Sequence, residues 1–118
     1  MACVGALQSV SSTVVTEDAV TIVGGGAAGT LAAIHLLRAR PAGAVTLVER
    51  SPAVGRGVAY GSADPRHLLN VAAGHMAAYA DRPDHLVDWL RQAGHPQAGV
   101  ETYAPRLAYG AYLADTLE

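Results

Sequence analysis

An α/β fold built on a parallel strand–helix–strand crossover is what this sequence predicts, on three observations. An apolar, β-branched run, Val20-Thr21-Ile22-Val23, leads directly into Gly24-Gly25-Gly26-Ala27-Ala28-Gly29. An apolar stretch at helical spacing follows. A second β-branched run, Val45-Thr46-Leu47-Val48, then closes on Glu49. A Gly-x-Gly-x-x-Gly hexapeptide is weak evidence by itself in a chain with 13 glycines. The strand before it, the helix after it and the acidic end of the next strand make it specific.

Each element has a physical reason. Gly24 can take backbone angles closed to residues with a Cβ, so the chain can turn sharply out of the first strand. Gly26 leaves bare peptide toward a ligand, and Gly29 lets the new helix press against the strands. The helix is expected over residues 28–38, with Ala27, Leu31, Ile34 and Leu37 sharing a face, and Pro41 and Gly43 stopping it. At about 1.5 Å per residue it is roughly 16 Å long, matching a five-residue strand at about 3.3 Å per residue. One crossover therefore fits between the two strands. Both strands are continuously apolar, as parallel strands covered on two faces are, which predicts a doubly wound sheet.

The same unit carries a chemistry. Ala27 and Ala28 open the helix with unpaired N–H groups and the positive end of its dipole, a setting for a pyrophosphate that needs no basic side chain. Glu49 lies twenty positions beyond Gly29, near the spacing at which a carboxylate accepts hydrogen bonds from ribose hydroxyls. A Rossmann-like dinucleotide-binding unit is the reading, with spacing alone unable to separate FAD from NAD. A triphosphatase loop is excluded, because Thr30 follows Gly29 directly and the required lysine is absent. A kinase glycine loop joins two strands, whereas Leu31-Ala32-Ala33-Ile34 continues as helix. The remaining alternative is a strand–helix turn that serves packing alone.

Beyond Glu49 the chain changes character. Residues 51–65 read as a long irregular loop holding Pro52, Arg56 and Tyr60, and it leaves the sheet edge where a dinucleotide lies. His67-Leu68-Leu69-Asn70-Val71 suits a short strand or a single turn. A second helix is expected with Asp81 as cap, Pro83 in its first turn, Leu86, Trp89 and Leu90 on its apolar face, and Gly94 at its end. Trp89 reads as a core anchor and His35 as half-buried on the first helix. Pro105 opens a third helix carrying Leu107, Tyr109, Tyr112 and Leu113. Two parallel strands leave both edges open, so the sheet is expected to be incomplete at the C-terminus. A missing C-terminal portion or a partner chain would supply the third strand.

Composition bounds the alternatives. The 118 residues suffice for one domain, with residues 1–18 expected as a disordered extension and 19–118 as the domain. All eight basic residues are Arg and the net charge is −2, so no basic run attracts nucleic acid or an anionic membrane. No apolar stretch approaches the roughly 18 residues of a membrane span. Cys3 has no second cysteine to pair with, which makes a reducing, cytoplasmic setting the default. The five histidines include no His-x-x-x-His pair and there is no Cys cluster, so no metal is expected. Ser62 and the early serines lack a nucleophile elbow.

Several motifs together resemble a known family. They are the glycine motif, Gly55-Arg56-Gly57-Val58-Ala59-Tyr60, Leu68-Leu69-Asn70-Val71 with Met76, Asp84-His85-Leu86 with Trp89-Leu90, and Pro105-Arg106 with Tyr109-Gly110 and Tyr112-Leu113. From about Val20 to Leu113 the chain is similar to the start of the FAD/NAD(P)-binding family that includes bacterial FAD-dependent urate hydroxylases, and more distantly to flavin-dependent N-hydroxylating monooxygenases. The resemblance implies FAD at Gly24, Gly26, Ala27, Ala28, Gly29 and Glu49, with NAD(P)H as electron donor. It also implies Arg56 and Asn70 near the pyrophosphate or flavin, and Arg106 in the FAD site. Ala108 stands where those hydroxylases carry an acidic residue, which removes one partner from Arg106. A flavoprotein oxidoreductase, in particular a monooxygenase, is thus implied. None of these residues need act as acid, base or nucleophile, and the chain alone is expected to be inactive. The alternative is a non-catalytic dinucleotide-binding module or a truncated fragment.

Overall fold

The computed structural model describes residues 2–3, 19–39 and 43–118. Its elements are β1 (Ala2–Cys3), β2 (Val20–Val23), α1 (Ala27–Arg38), β3 (Val45–Glu49), α2 (His85–Gln92) and α3 (Arg106–Leu117), with a single 3₁₀ turn at Ala73–His75. β2 and β3 pair in parallel, Val20 with Val45 through Val23 with Val48. α1 is the crossover between them, so the predicted strand–helix–strand unit is present. β1 pairs antiparallel along the other side of β3, Ala2 with Glu49 and Cys3 with Val48. Of residues 1–18, expected as a disordered extension, Ala2 and Cys3 alone are described, as β1, and the other positions lie outside the described residues. Pro41, expected to stop α1, lies outside them too.

α1 holds to the sheet through Ala33 and Ile34, which are buried, and Thr30, which is wholly buried. Leu37 was expected on that face but is 49 % exposed, one residue before the helix ends. His35 is exposed rather than half-buried, with its ring edge toward Tyr79. The sheet is not covered on both faces among the described residues. β2 alternates partly buried and exposed positions, and Val23 is 83 % exposed. Its apolar run reads as doubly covered, yet α1 meets only one side.

Most of the core lies beyond the crossover. Leu86, Val87 and Leu90 of α2 pack with Tyr109, Tyr112 and Leu113 of α3 and with Leu69, Ala73 and Ala78. These side chains interlock because helical spacing puts each set on one face. The segment after His67 runs extended against the segment before α3. Leu69 N–H bonds to the Ala104 carbonyl at 2.8 Å, Ala73 N–H to Thr102 at 2.8 Å and Arg106 N–H to His67 at 2.8 Å. Leu68 and Pro105 form a lone antiparallel bridge, the outcome between the expected strand and turn.

α2 begins later than expected. Asp84 precedes its first residue, and Asp81 caps nothing. The Asp81 carboxylate instead pairs with Arg38 at the end of α1, one of its bonds being 2.8 Å, while the Arg38 guanidinium also lies 4.7 Å from the centre of the Tyr79 ring. Gly94 follows α2 at φ +101, as a helix-ending glycine does. Trp89 is only partly buried; its ring meets Tyr112 edge-on and its Nε1–H donates to Asp115 at 2.9 Å.

Candidate functional site

The turn between β2 and α1 is built from glycine at each place where a side chain would collide. Gly24 sits at φ +101, in the left-handed region that a Cβ disfavours, and its N–H donates to Val48 at 2.8 Å. A Cβ on Gly29 would strike the Gly24 carbonyl oxygen and lie 3.3 Å from Ile22 Cγ2. Gly29 thus lets α1 lie against β2. Thr30 locks the turn from beneath, its hydroxyl donating to the Gly25 carbonyl at 3.1 Å.

α1 starts at Ala27 after Gly26, which gives it no side-chain cap; its first turn holds no acidic residue, while His35 and Arg38 occupy its last turn. The basic residues suit the negative end of the dipole, and nothing offsets the positive end. Among the described residues no acceptor meets the N–H groups of Gly26, Ala27, Ala28 or Gly29. Four donors therefore open in one direction.

Glu49 is drawn into this turn. Its Oε2 accepts the Gly25 N–H at 2.6 Å and its Oε1 accepts the Ser51 N–H at 2.8 Å. Those amides, Ser51 first and Gly25 second, hold the carboxyl below the usual carboxylate range. Each oxygen keeps a second lone pair. Gly25 was not singled out from the motif, yet a Cβ there would lie 2.9 Å from Glu49 Cβ. The missing side chain is what brings carboxylate and turn together.

The loop after β3 folds back over the same turn. Gly55, at φ +85, donates its N–H to the Gly25 carbonyl at 2.7 Å. Gly57, at φ +52, brings its Cα beside Gly26. A Cβ on Gly57 would sit 3.1 Å from Gly26 Cα, whereas one on Gly26 would sit 3.6 Å from Gly57 Cα, an ordinary contact. Gly55, Gly57 and Thr30 were missed as site residues. Their signal lay in paired glycines flanking Arg56 and a small hydroxyl residue following the last motif glycine.

Arg56 is exposed, and its stem covers Gly110 of α3, where an added Cβ would meet Arg56 Cγ at 2.9 Å. It borders a cavity of about 420 Å³ that also holds Glu49, Arg50 and Ser51. Arg106 lies at the first residue of α3, with its Nε–H donating to the Leu68 carbonyl at 3.0 Å. It lines a cavity of about 750 Å³ with His67, Ser62 and Val58. Asn70 is exposed, has no side-chain partner among the described residues and lines neither cavity. The fold thus gathers Gly24, Gly26, Ala27, Ala28, Gly29 and Glu49, sets Arg56 beside them and Arg106 further along, and leaves Asn70 apart.

A strand, a bare-amide turn, a helix and a second parallel strand ending in a carboxylate define a dinucleotide-binding α/β domain. Residues 21–118 match a family model described as FAD-NAD(P)-binding, and the chain belongs to that family. No curated protein and no solved structure matches it. Among the described residues no helix is long and apolar enough to cross a membrane, and no three His, Cys, Asp or Glu side chains gather as metal ligands.

Proposed function

We propose that this chain is the FAD-binding portion of a flavin-dependent oxidoreductase, of the monooxygenase kind, that takes electrons from NAD(P)H. The observation that carries it is the row of free N–H groups from Gly26 to Gly29, beside the Glu49 carboxylate. A diphosphate fits that row, since four donors and a helix dipole meet it with no acidic neighbour in the first turn. The free lone pairs of Glu49 suit the adenosine ribose hydroxyls. Gly57 and Gly26 face one another without side chains, which leaves bare backbone along the approach. Arg56 is the nearest loop cation for the diphosphate, and Arg106 and Asn70 complete the set that the family resemblance implies.

FAD, when bound, supplies the hydride and oxygen chemistry. This chain's residues hold the diphosphate on amides and fix the ribose. A doubly wound sheet, completed by further chain or by a partner, would cover the exposed face of β2. A cytoplasmic setting accords with the lone Cys3.

Gly26→Ala separates the fold from the ligand. Its Cβ makes only ordinary contact with Gly57, so the melting temperature should stay within about 2 °C, as for a substitution of ~0.5 kcal/mol or less. The same Cβ narrows the diphosphate approach, and FAD affinity should fall by about tenfold, as should that of Glu49→Ala, each a loss of ~1.4 kcal/mol. Flavin content is read from absorbance near the visible flavin bands. A colourless wild-type protein whose melting point rises with NAD but not with FAD favours the non-catalytic module. Full flavin content in both variants overturns the reading.

A further inference from the structure

A row of aromatic rings in contact runs from the loop after β3 to the outer side of α2. Tyr60 stands between Arg56 and Gly61, which both border the cavity at Glu49. Its ring meets Tyr109 edge-on with 4.8 Å between centres, Tyr109 lies 5.7 Å from Tyr112, and Tyr112 meets Trp89 edge-on at 5.7 Å. Tyr112 is wholly buried and Tyr109 is 4 % exposed, while the partly exposed Trp89 lines a surface cavity of about 410 Å³. The row thus leads from the cofactor side through the core to solvent.

Rings in contact are ordinary core packing. The hydrogen bonds set this row apart, because two neighbouring rings each hold a proton acceptor on the atom that becomes acidic when the ring loses an electron. Tyr112 Oη lies 2.7 Å from His85 Nδ1 and accepts the Ala78 N–H at 2.8 Å. Among the described residues Nδ1 is the one acceptor within reach of the phenol's own proton. Burial, with Arg82 adding to it, holds His85 below its usual range and so favours the uncharged imidazole. The Trp89 Nε1–H in turn points at the Asp115 carboxylate at 2.9 Å. Tyr60 and Tyr109 differ: neither hydroxyl has a hydrogen-bond partner among the described residues, and burial pushes the Tyr109 phenol up to about 12. They can pass an electron on, whereas Tyr112 and Trp89 can also part with a proton.

We propose that Tyr60, Tyr109, Tyr112 and Trp89 form an electron-supply path that quenches an oxygen-centred radical arising in the cofactor cleft. That source rests on the flavin reading; the path itself does not. The radical takes one electron through Tyr60 and Tyr109, and one proton from solvent, becoming water or an alcohol. Tyr112 supplies the electron, and its hydroxyl proton moves to His85 Nδ1, leaving a neutral phenoxyl. Trp89 then returns an electron to Tyr112, which recovers its proton from His85, while the indole Nε1 proton passes to Asp115 and on to solvent. A thiol in solution restores Trp89 with one electron and one proton, and two such thiols end as a disulfide. The damage is thereby moved from the cleft to an accessible ring.

The test starts an electron vacancy beside Tyr60 without FAD. Ala59, exposed and adjacent to Tyr60, is replaced as Ala59→Cys in a Cys3→Ser background and carries a ruthenium polypyridyl complex, photo-oxidised by a flash in the presence of methyl viologen. Trp89 is the chain's one tryptophan, so the visible absorbance of an indole radical reports it alone. That radical is expected after the flash. Tyr112→Phe should slow its appearance by at least about tenfold, and so should His85→Asn, which can accept a hydrogen bond but not keep the proton. Asp115→Asn should convert the signal to the red-shifted indole radical cation, a change that lost packing does not produce. Circular dichroism checks that each variant is folded, and His85→Asn carries the test if Tyr112→Phe is not. No indole radical in the labelled, folded chain overturns the proposal. An unchanged rate in His85→Asn does so too, since the electron would then reach the label without the Tyr112 pair. A chain that shows the path but takes up no FAD loses the flavin reading alone.

Discussion

Gly25, the middle of three consecutive glycines, shows how much a missing side chain can do. Its amide binds the Glu49 carboxylate and its carbonyl takes both the Thr30 hydroxyl and the Gly55 N–H. The motif spacing pointed to Gly24, Gly26 and Gly29, because they alternate with residues free to vary. Gly25 sits in one of those free positions, and only the fold shows that Glu49 stands against it. Gly29 is readable from sequence and its role is steric. Gly29→Ala forces its methyl into the Gly24 carbonyl, which is backbone and cannot swing aside. The cost is about 1–3 kcal/mol of overpacking, and it should appear in urea unfolding as a lower midpoint with an unchanged slope. A midpoint equal to wild type would mean that α1 does not rest on β2 as described.

The elements of the crossover were readable because each is local. β-branched runs and 3.6-residue spacing fix β2, α1 and β3 without reference to the rest of the chain. The start of α2 was not, because Asp81 fits a cap by residue type while a partner 43 residues away, Arg38, draws it elsewhere. Tyr112 is the same lesson at the core. It reads as one of several apolar helix positions, yet its hydroxyl ties α3 to two other segments. It accepts the Ala78 N–H at 2.8 Å and lies 2.7 Å from His85 Nδ1. Burial holds His85 below its usual range, with Arg82 adding to the effect, and the phenol has its own proton to share with the ring. Tyr112→Phe keeps the ring and its packing but strands the Ala78 N–H. A loss of about 1–3 kcal/mol is expected from chemical unfolding. Faster hydrogen exchange should be confined to Ala78 and its neighbours, and a change spread evenly over α1 as well would count against this local account.

Across the whole molecule, the crossover and the α2–α3 core are joined by few polar links, and Arg38 with Asp81 is one of them. Spacing could not reveal it, because it bridges two units that sequence reasoning treats one at a time. The pair is exposed, with 46 % and 61 % of the two side chains accessible, so solvent screens it and its worth is small. Its pH signature is still distinct. The Arg38 guanidinium pulls the Asp81 carboxyl down to about 2, and Arg66 does the same to Asp64. A carboxyl depressed in the folded chain contributes stability that is complete above its unfolded pKa of about 3.9 and is lost as pH falls through its folded value. Between pH 4 and 2 the folded chain should therefore lose stability as these two aspartates and Glu49 take up protons. Asp81→Asn removes one of them. The variant should be slightly less stable than wild type at pH 7, and the two unfolding curves should converge as pH falls toward 2. Salt at 1 M, where screening reaches about 3 Å, should shrink the difference at pH 7. A gap between the two proteins that stays constant from pH 7 to 2 would show that Asp81 acts by packing and not through the charge it shares with Arg38.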